Sequence, residues 1–209
     1  MSHALTLMQW LSPAFPIGAF AYSHGLEQAI ADGVVADAKT LREWLRDLLG
    51  HGSGRADAIL LAAAYRADDP SDVDATARAF AAGAERLKET DLQGAAFCDT
   101  ARAVWGIEIA GLTYPVAVGA AARAVGIPLA ETLPLYLHAF ASNLVSVAQR
   151  ALPLGQTDGQ TVLATLSSVI AKTAKEAEKT PLAALSSTSF AADIAAMRHE
   201  TLQPRIFRT

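Results

Sequence analysis

Residues Leu129–Leu152 read LAETLPLYLHAFASNLVSVAQRAL. No Asp, Glu, Lys or Arg falls between Glu131 and Arg150. A membrane-spanning helix needs ~20 mostly apolar residues. This stretch is shorter and carries Pro134, His138, Ser142, Asn143, Ser146 and Gln149. It therefore reads as a long helix buried in a protein core and stopped by Pro153. A helix of that kind must bury its apolar surface against other elements, and the flanking sequence supplies helices.

Leu41, Trp44, Leu45 and Leu48 fall at i, i+3, i+4 and i+7, an amphipathic stripe. Thr40 and Glu43 have the spacing of a capping box before it. Gly50, Gly52 and Gly54 weaken or break that helix, and a second covers Arg55–Arg66. Asp68-Asp69-Pro70-Ser71 is a loop and a helix start. Helices are expected at Ser71–Lys88 and Thr90–Trp105, with another starting near Pro115. Gly126-Ile127-Pro128 is a break. Thr157 and Gln160 form a second capping-box signal, opening a helix through about Glu178. Thr180-Pro181 ends it, and a last helix includes Phe190–Arg198. No run alternates with period two between turns, and no repeat or low-complexity linker is visible. The expected fold is an all-α, single-domain helical bundle of about eight to ten helices over residues 1–209. Residues 1–9 form an N-terminal arm and residues 199–209 a mobile, partner-binding tail.

Hydrophobic residues make up 52% of the chain and charged residues 18%. That is slightly richer in apolar residues than an average domain, so the excess belongs in a larger core or at an interface. With a net charge of -4 and no basic stripe, a nucleic-acid footprint is not expected. The single cysteine, Cys98, excludes an intramolecular disulfide and fits a reducing compartment. No secretory signal is read at the N-terminus, so a cytoplasmic location without membrane contact is expected.

The search for chemistry is mostly negative. Lys39-Thr40 and Lys172-Thr173 lack the glycine frame of a phosphate-binding loop. His3, His24, His51, His138 and His199 are scattered, with no two at i, i+3 or i+4, so no resident metal site is expected. Ser23 and His24 are neighbours, which on a helix diverge by about 100°, and no GxSxG elbow is present. Cys98 on an apolar helix reads as a small buried hydrophobe. Glu85 and Glu89, one turn apart, read as a solvated face with Arg86 and Lys88. An alternative class, a small-molecule enzyme, would use Tyr22, His24 and Glu27, and requires their polar tips to converge in a pocket.

One segment stands apart: Trp10–Glu27, WLSPAFPIGAFAYSHGLE, in which Pro16 and Gly18 punctuate an apolar run. It resembles the signature of the UreF family of urease accessory proteins. Further matches follow in order: ERLKETDLQG (Glu85–Gly94), NLVSVAQRALPLGQTDGQ (Asn143–Gln160), TPLAALSSTSFAADIAAMRHET (Thr180–Thr201) and RIFRT (Arg205–Thr209). The resemblance covers essentially the whole chain. It implies an all-α homodimeric accessory protein, not an enzyme, that binds UreD (also called UreH) and recruits the GTPase UreG. The assembly would deliver nickel to the urease apoprotein, with no cofactor held stably by this chain and GTP bound by UreG. Carried over residue by residue, Arg205 takes the place of the basic residue implied in UreG recruitment. Tyr22 matches the tyrosine of the N-terminal signature, and Arg150 sits where a basic residue contacts the GTPase. The family ending YSRLFRS is QPRIFRT here, so Gln203 and Pro204 replace its Tyr and Ser. In the tail, Ile206 and Phe207 offer apolar anchors, and Arg205 and Arg208 offer charge-assisted hydrogen bonds.

Overall fold

The computed structural model describes residues 2–208; Met1 and Thr209, the outermost residues of the expected arm and tail, lie outside the described residues. It contains α1 (His3–Trp10), α2 (Leu26–Ala31), α3 (Ala38–His51), α4 (Ser53–Arg66), α5 (Ser71–Phe80), α6 (Ala84–Trp105), α7 (Tyr114–Ala124), α8 (Leu129–Ala151), α9 (Gln156–Thr165), α10 (Ser167–Ala177) and α11 (Phe190–His199). Two 3-10 turns, Ala19–Ala21 and Leu182–Ala184, complete the list, and no strand occurs among the described residues. Only Leu166, itself right-handed helical, separates α9 from α10, so these two run as one bent helix. The all-α, single-bundle expectation holds.

The stretch Leu129–Leu152 forms α8, and it is the central post. Leu133, Leu137, Ala141, Leu144 and Ala148 are buried along it, and it touches α2, α3, α4, α7, α9 and α10. No helix of the described residues is long and apolar enough to cross a membrane. Most of the apolar surface of α8 is covered by these helices, Leu135 excepted.

Helix starts differ from their sequence signals. The capping box of α3 is real but sits earlier: the Asp37 carboxylate accepts the Thr40 N–H at 2.8 Å, and the Thr40 hydroxyl oxygen accepts the Asp37 N–H at 3.1 Å. Thr157 caps nothing, because α9 already begins at Gln156 and its N-cap is Gly155. The residues expected as one helix over Ser71–Lys88 split at Ala81–Gly83. The α6 N-terminus is then capped from across the fold, the Glu200 carboxylate accepting the Ala84 N–H at 3.0 Å. A carboxylate at a helix N-terminus satisfies a free amide and the helix dipole together.

α4 and α7 approach most closely, through small residues. A Cβ on Gly119 would lie 2.3 Å from the Leu61 carbonyl oxygen, which is backbone and cannot rotate away. Gly119→Ala is therefore expected to lower stability by about 2 kcal/mol, although alanine is the better helix former. Urea denaturation checks this; an unchanged or raised midpoint would contradict the packing.

The N-terminal residues, expected as an arm, include α1. Leu7 and Trp10 of α1 are fully buried, and Trp10 meets Phe97 and Trp105 edge-on at 5.5 and 5.7 Å. Buried aromatic rings of this size contribute strongly to a core, and edge-on pairs add to that contribution.

Candidate partner-binding site

The two ends of the chain meet. Trp10–Glu27 descends from α1 through turns and the 3-10 turn Ala19–Ala21, then enters α2. His24 and Gly25 both have positive φ, 51° and 75°. At Gly25 the reason is steric: a Cβ there would lie 2.6 Å from the Ala196 nitrogen of α11. This close approach brings α11, and the ending that follows it, against the signature segment.

Glu27 receives that ending. Its Oε1 accepts the Ile206 N–H at 2.6 Å, and its Oε2 accepts the Phe207 N–H at 2.9 Å. The Arg208 N–H then donates to the Ala21 carbonyl at 2.8 Å. His199, fully buried, lies between two carboxylates, with Nε2 2.8 Å from Glu27 and Nδ1 2.9 Å from Glu85. The other Glu85 oxygen pairs with Arg205. Arg198 pairs with Asp32 at 2.7 Å.

This arrangement differs from the free tail expected from composition. Residues 199–208 have partners within the chain: a carboxylate beneath the backbone, an ion pair beside it, and a slot for one ring. Phe207, expected to offer itself to a partner, is 3% exposed and lies under the Arg150 guanidinium, 4.5 Å from ring centroid to cation. Tyr22, matched to the signature tyrosine and named as a partner-binding residue on that resemblance, is 4% exposed. Burial, with Glu89 adding, pushes its phenol above the ordinary range, and a hydrogen bond with Arg208 pulls it back. The remaining predicted residues stay accessible. Ile206 is 69% exposed, and Arg150, Arg205 and Arg208 are at the surface. Arg150 also donates to the Phe20 carbonyl at 2.8 Å, which adds Phe20, 65% exposed, to the group. Sequence reading missed Phe20 because nothing in a turn between two prolines and a helix distinguishes an outward ring from an inward one.

Beneath this surface lies a buried charge network. Arg86 contacts both Asp57 oxygens at 2.8 Å and Glu89 at 3.4 Å. His24 Nε2 meets Glu89 at 2.9 Å, Gln93 donates to Glu89 at 3.1 Å, and the Tyr136 hydroxyl donates to Asp57 at 3.0 Å. Burial opposes the Arg86 charge, but Asp57 and Glu89 outweigh it and hold the guanidinium more firmly protonated than usual. Burial, with Asp57 adding, drives the Tyr136 phenol far upward, so it stays a donor. The Glu85–Glu89 face, expected to be solvated, is thus an internal seam.

Two cavities flank that network, of about 310 and 420 Å³, and both are lined by His24, Asp57, Arg86 and Glu89. Neither is lined by Tyr22 or Glu27. The three polar tips required by the enzyme alternative therefore do not converge: Glu27 holds the chain's ending, Tyr22 packs inward, and only His24 faces a cavity. Among the described residues, no three His, Cys, Asp or Glu side chains form a group that could hold a metal ion. Cys98 is 1% exposed, and burial raises its thiol, as expected of a packing residue.

Comparison with known proteins agrees with the resemblance. The UreF family model matches residues 35–167. A protein of Roseobacter denitrificans named urease accessory protein UreF is 55% identical over 207 residues, covering 98% of this chain and 93% of its own length. A protein of the same name from Cereibacter sphaeroides is 56% identical over 205 residues, covering 98% of each. One from Dinoroseobacter shibae is 48% identical with the same coverage.

Proposed function

The chain belongs to the UreF family of urease accessory proteins, and on that premise we propose that it is a non-catalytic scaffold for urease maturation. In this reading it acts as a homodimer in the cytoplasm, binds a UreD/UreH-type partner and recruits the GTPase UreG. Nickel is the cargo of the assembly for the urease apoprotein, and GTP is the ligand of UreG; this chain holds neither as a cofactor. One observation carries the proposal: the docked ending and the N-terminal turn present Ile206 and Phe20 beside Arg150, Arg205 and Arg208. On a chain with net charge -4, this is a local apolar and basic surface. It suits a partner patch with an apolar slot and carboxylates around it.

A buried arginine or apolar anchor is worth ~2 kcal/mol at an interface, roughly thirtyfold in affinity. Ile206→Asp is expected to weaken capture of the UreD-type partner, or of UreG by the preformed pair, by at least that factor. The melting temperature should hold, because the side chain is exposed. Titration calorimetry checks this; unchanged affinity would remove Ile206 from the surface.

A further inference from the structure

The geometry points to His199 as a proton-linked positioning residue: a clasp that seats the ending only while one extra proton is held among His199, Glu27 and Glu85.

A neutral imidazole has one N–H donor and one lone pair, whereas an imidazolium has two donors. Both ring nitrogens of His199 face carboxylate oxygens, at 2.8 and 2.9 Å, and an ionised carboxylate can only accept. With His199 neutral and both carboxylates ionised, one contact sets lone pair against lone pair in a site of no solvent exposure. The cluster is complete only with one more proton, whichever of the three groups carries it.

Among the described residues the surroundings supply the cluster with one cation, Arg205, and the other charges are committed elsewhere. On α2, Glu27 faces the ring, and Asp32 is paired with Arg198. On α6, Glu85 faces it, Arg86 is committed to Asp57 and Glu89, and Glu89 is shared with His24. On α11 itself, Glu200 caps α6, and Asp193 takes a hydrogen bond from Ser187. Arg205, from the ending, is the one cation on Glu85 among the described residues, and it sits at the outer oxygen.

Loss of the proton acts on the ending directly, because the same Glu27 carboxylate holds the Ile206 and Phe207 amides and the same Glu85 holds Arg205. The sign follows from the donor count: the seated form binds the extra proton, so seating is favoured at lower pH and weakens as pH rises. Resting on the surface reading above, partner capture is then favoured on the acidic side.

Glu85→Gln separates this clasp from simple packing. The side-chain amide introduced by that substitution keeps an oxygen that can accept from Arg205, and its NH2 can donate to a neutral Nδ1, while the Nε2–H donates to Glu27. The variant therefore needs no extra proton. The test is amide exchange of Ile206, Phe207 and Arg208 by NMR, normalised to the intrinsic rate, from about pH 5.5 to about pH 9, which spans the ordinary histidine range. In the wild type, protection should fall at least ~tenfold across that range; in Glu85→Gln it should change less than ~threefold. A flat wild-type profile, or a variant that tracks the wild type, would overturn the proposal. Capture of the UreD-type partner is measured over the same range. Pronounced pH dependence in amide exchange with flat capture supports the clasp while removing the ending from the partner surface.

Discussion

Glu27→Ala is expected to cost about 3 kcal/mol of stability, because breaking a buried ion pair leaves the other charge and its hydrogen-bonding neighbours without compensation. Three groups lose their acceptor at once: His199 Nε2 and the Ile206 and Phe207 amides. His199 and the Phe207 amide cannot recover a water easily, since His199 is fully buried and Phe207 is 3% exposed. The loss should be local first. The ending would leave its slot, Phe207 would come out from under Arg150, and proteases would cut residues 200–208 while the bundle stayed folded. Urea denaturation followed by tryptophan fluorescence, with limited proteolysis and mass spectrometry, checks both parts. A shift under about 0.5 kcal/mol, the range of an ordinary surface substitution, would mean that Glu27 is not the anchor.

Arg86→Met should be as damaging, for a different reason. Arg86 is the only cation bridging Asp57 and Glu89 among the described residues, and methionine keeps much of its length while removing its charge. Asp57 would retain the Tyr136 hydroxyl, and Glu89 would retain His24 and Gln93. Two carboxylates would nevertheless share a buried seam without their shared counter-charge, a loss of about 3–5 kcal/mol. Arg86→Lys should recover only part of this, since an ammonium lacks the planar fork whose two arms reach Asp57 and Glu89 at once. Thermal denaturation of both variants checks the order. Lysine performing as well as arginine would contradict the two-armed bridge from Asp57 to Glu89; methionine without effect would contradict the whole network.

The fold was legible where periodicity and punctuation agree. The Leu41–Leu48 stripe became the buried face of α3, and Pro153 marked the end of α8. It was less legible where a helix is capped from a distance: Glu200 closing α6 is a contact over more than a hundred residues, which no local motif announces. The site divided in the same way. Arg150 and Arg205 could be found by resemblance, Ile206 and Arg208 from the apolar and basic character of the ending, and the structure leaves all four accessible. Phe207 and Tyr22 could not be assigned inward from sequence, because an aromatic ring near a chain end or a turn suits either a slot or a partner. Least legible were Glu27, His199, Asp57, Arg86 and Glu89. Each is a charged or titratable residue that composition would place in solvent, and each is buried or nearly so because its partner lies on another helix. The two glutamates of the Glu85–Glu89 turn looked alike in sequence, yet one closes on the ending and the other on the N-terminal signature.

That joining of the two ends makes the surface a single object: a docked ending with Ile206 outward, a turn with Phe20 outward, and Arg150 in contact with both segments. The most direct test is urease activation in cells that co-express the apoenzyme and the other accessory proteins with this chain. Ile206→Asp combined with Phe20→Asp changes only exposed side chains, so the protein should accumulate at wild-type levels. The proposed scaffold role predicts urease activity close to that of cells lacking this chain altogether. Activity equal to the wild type at equal protein level would contradict it.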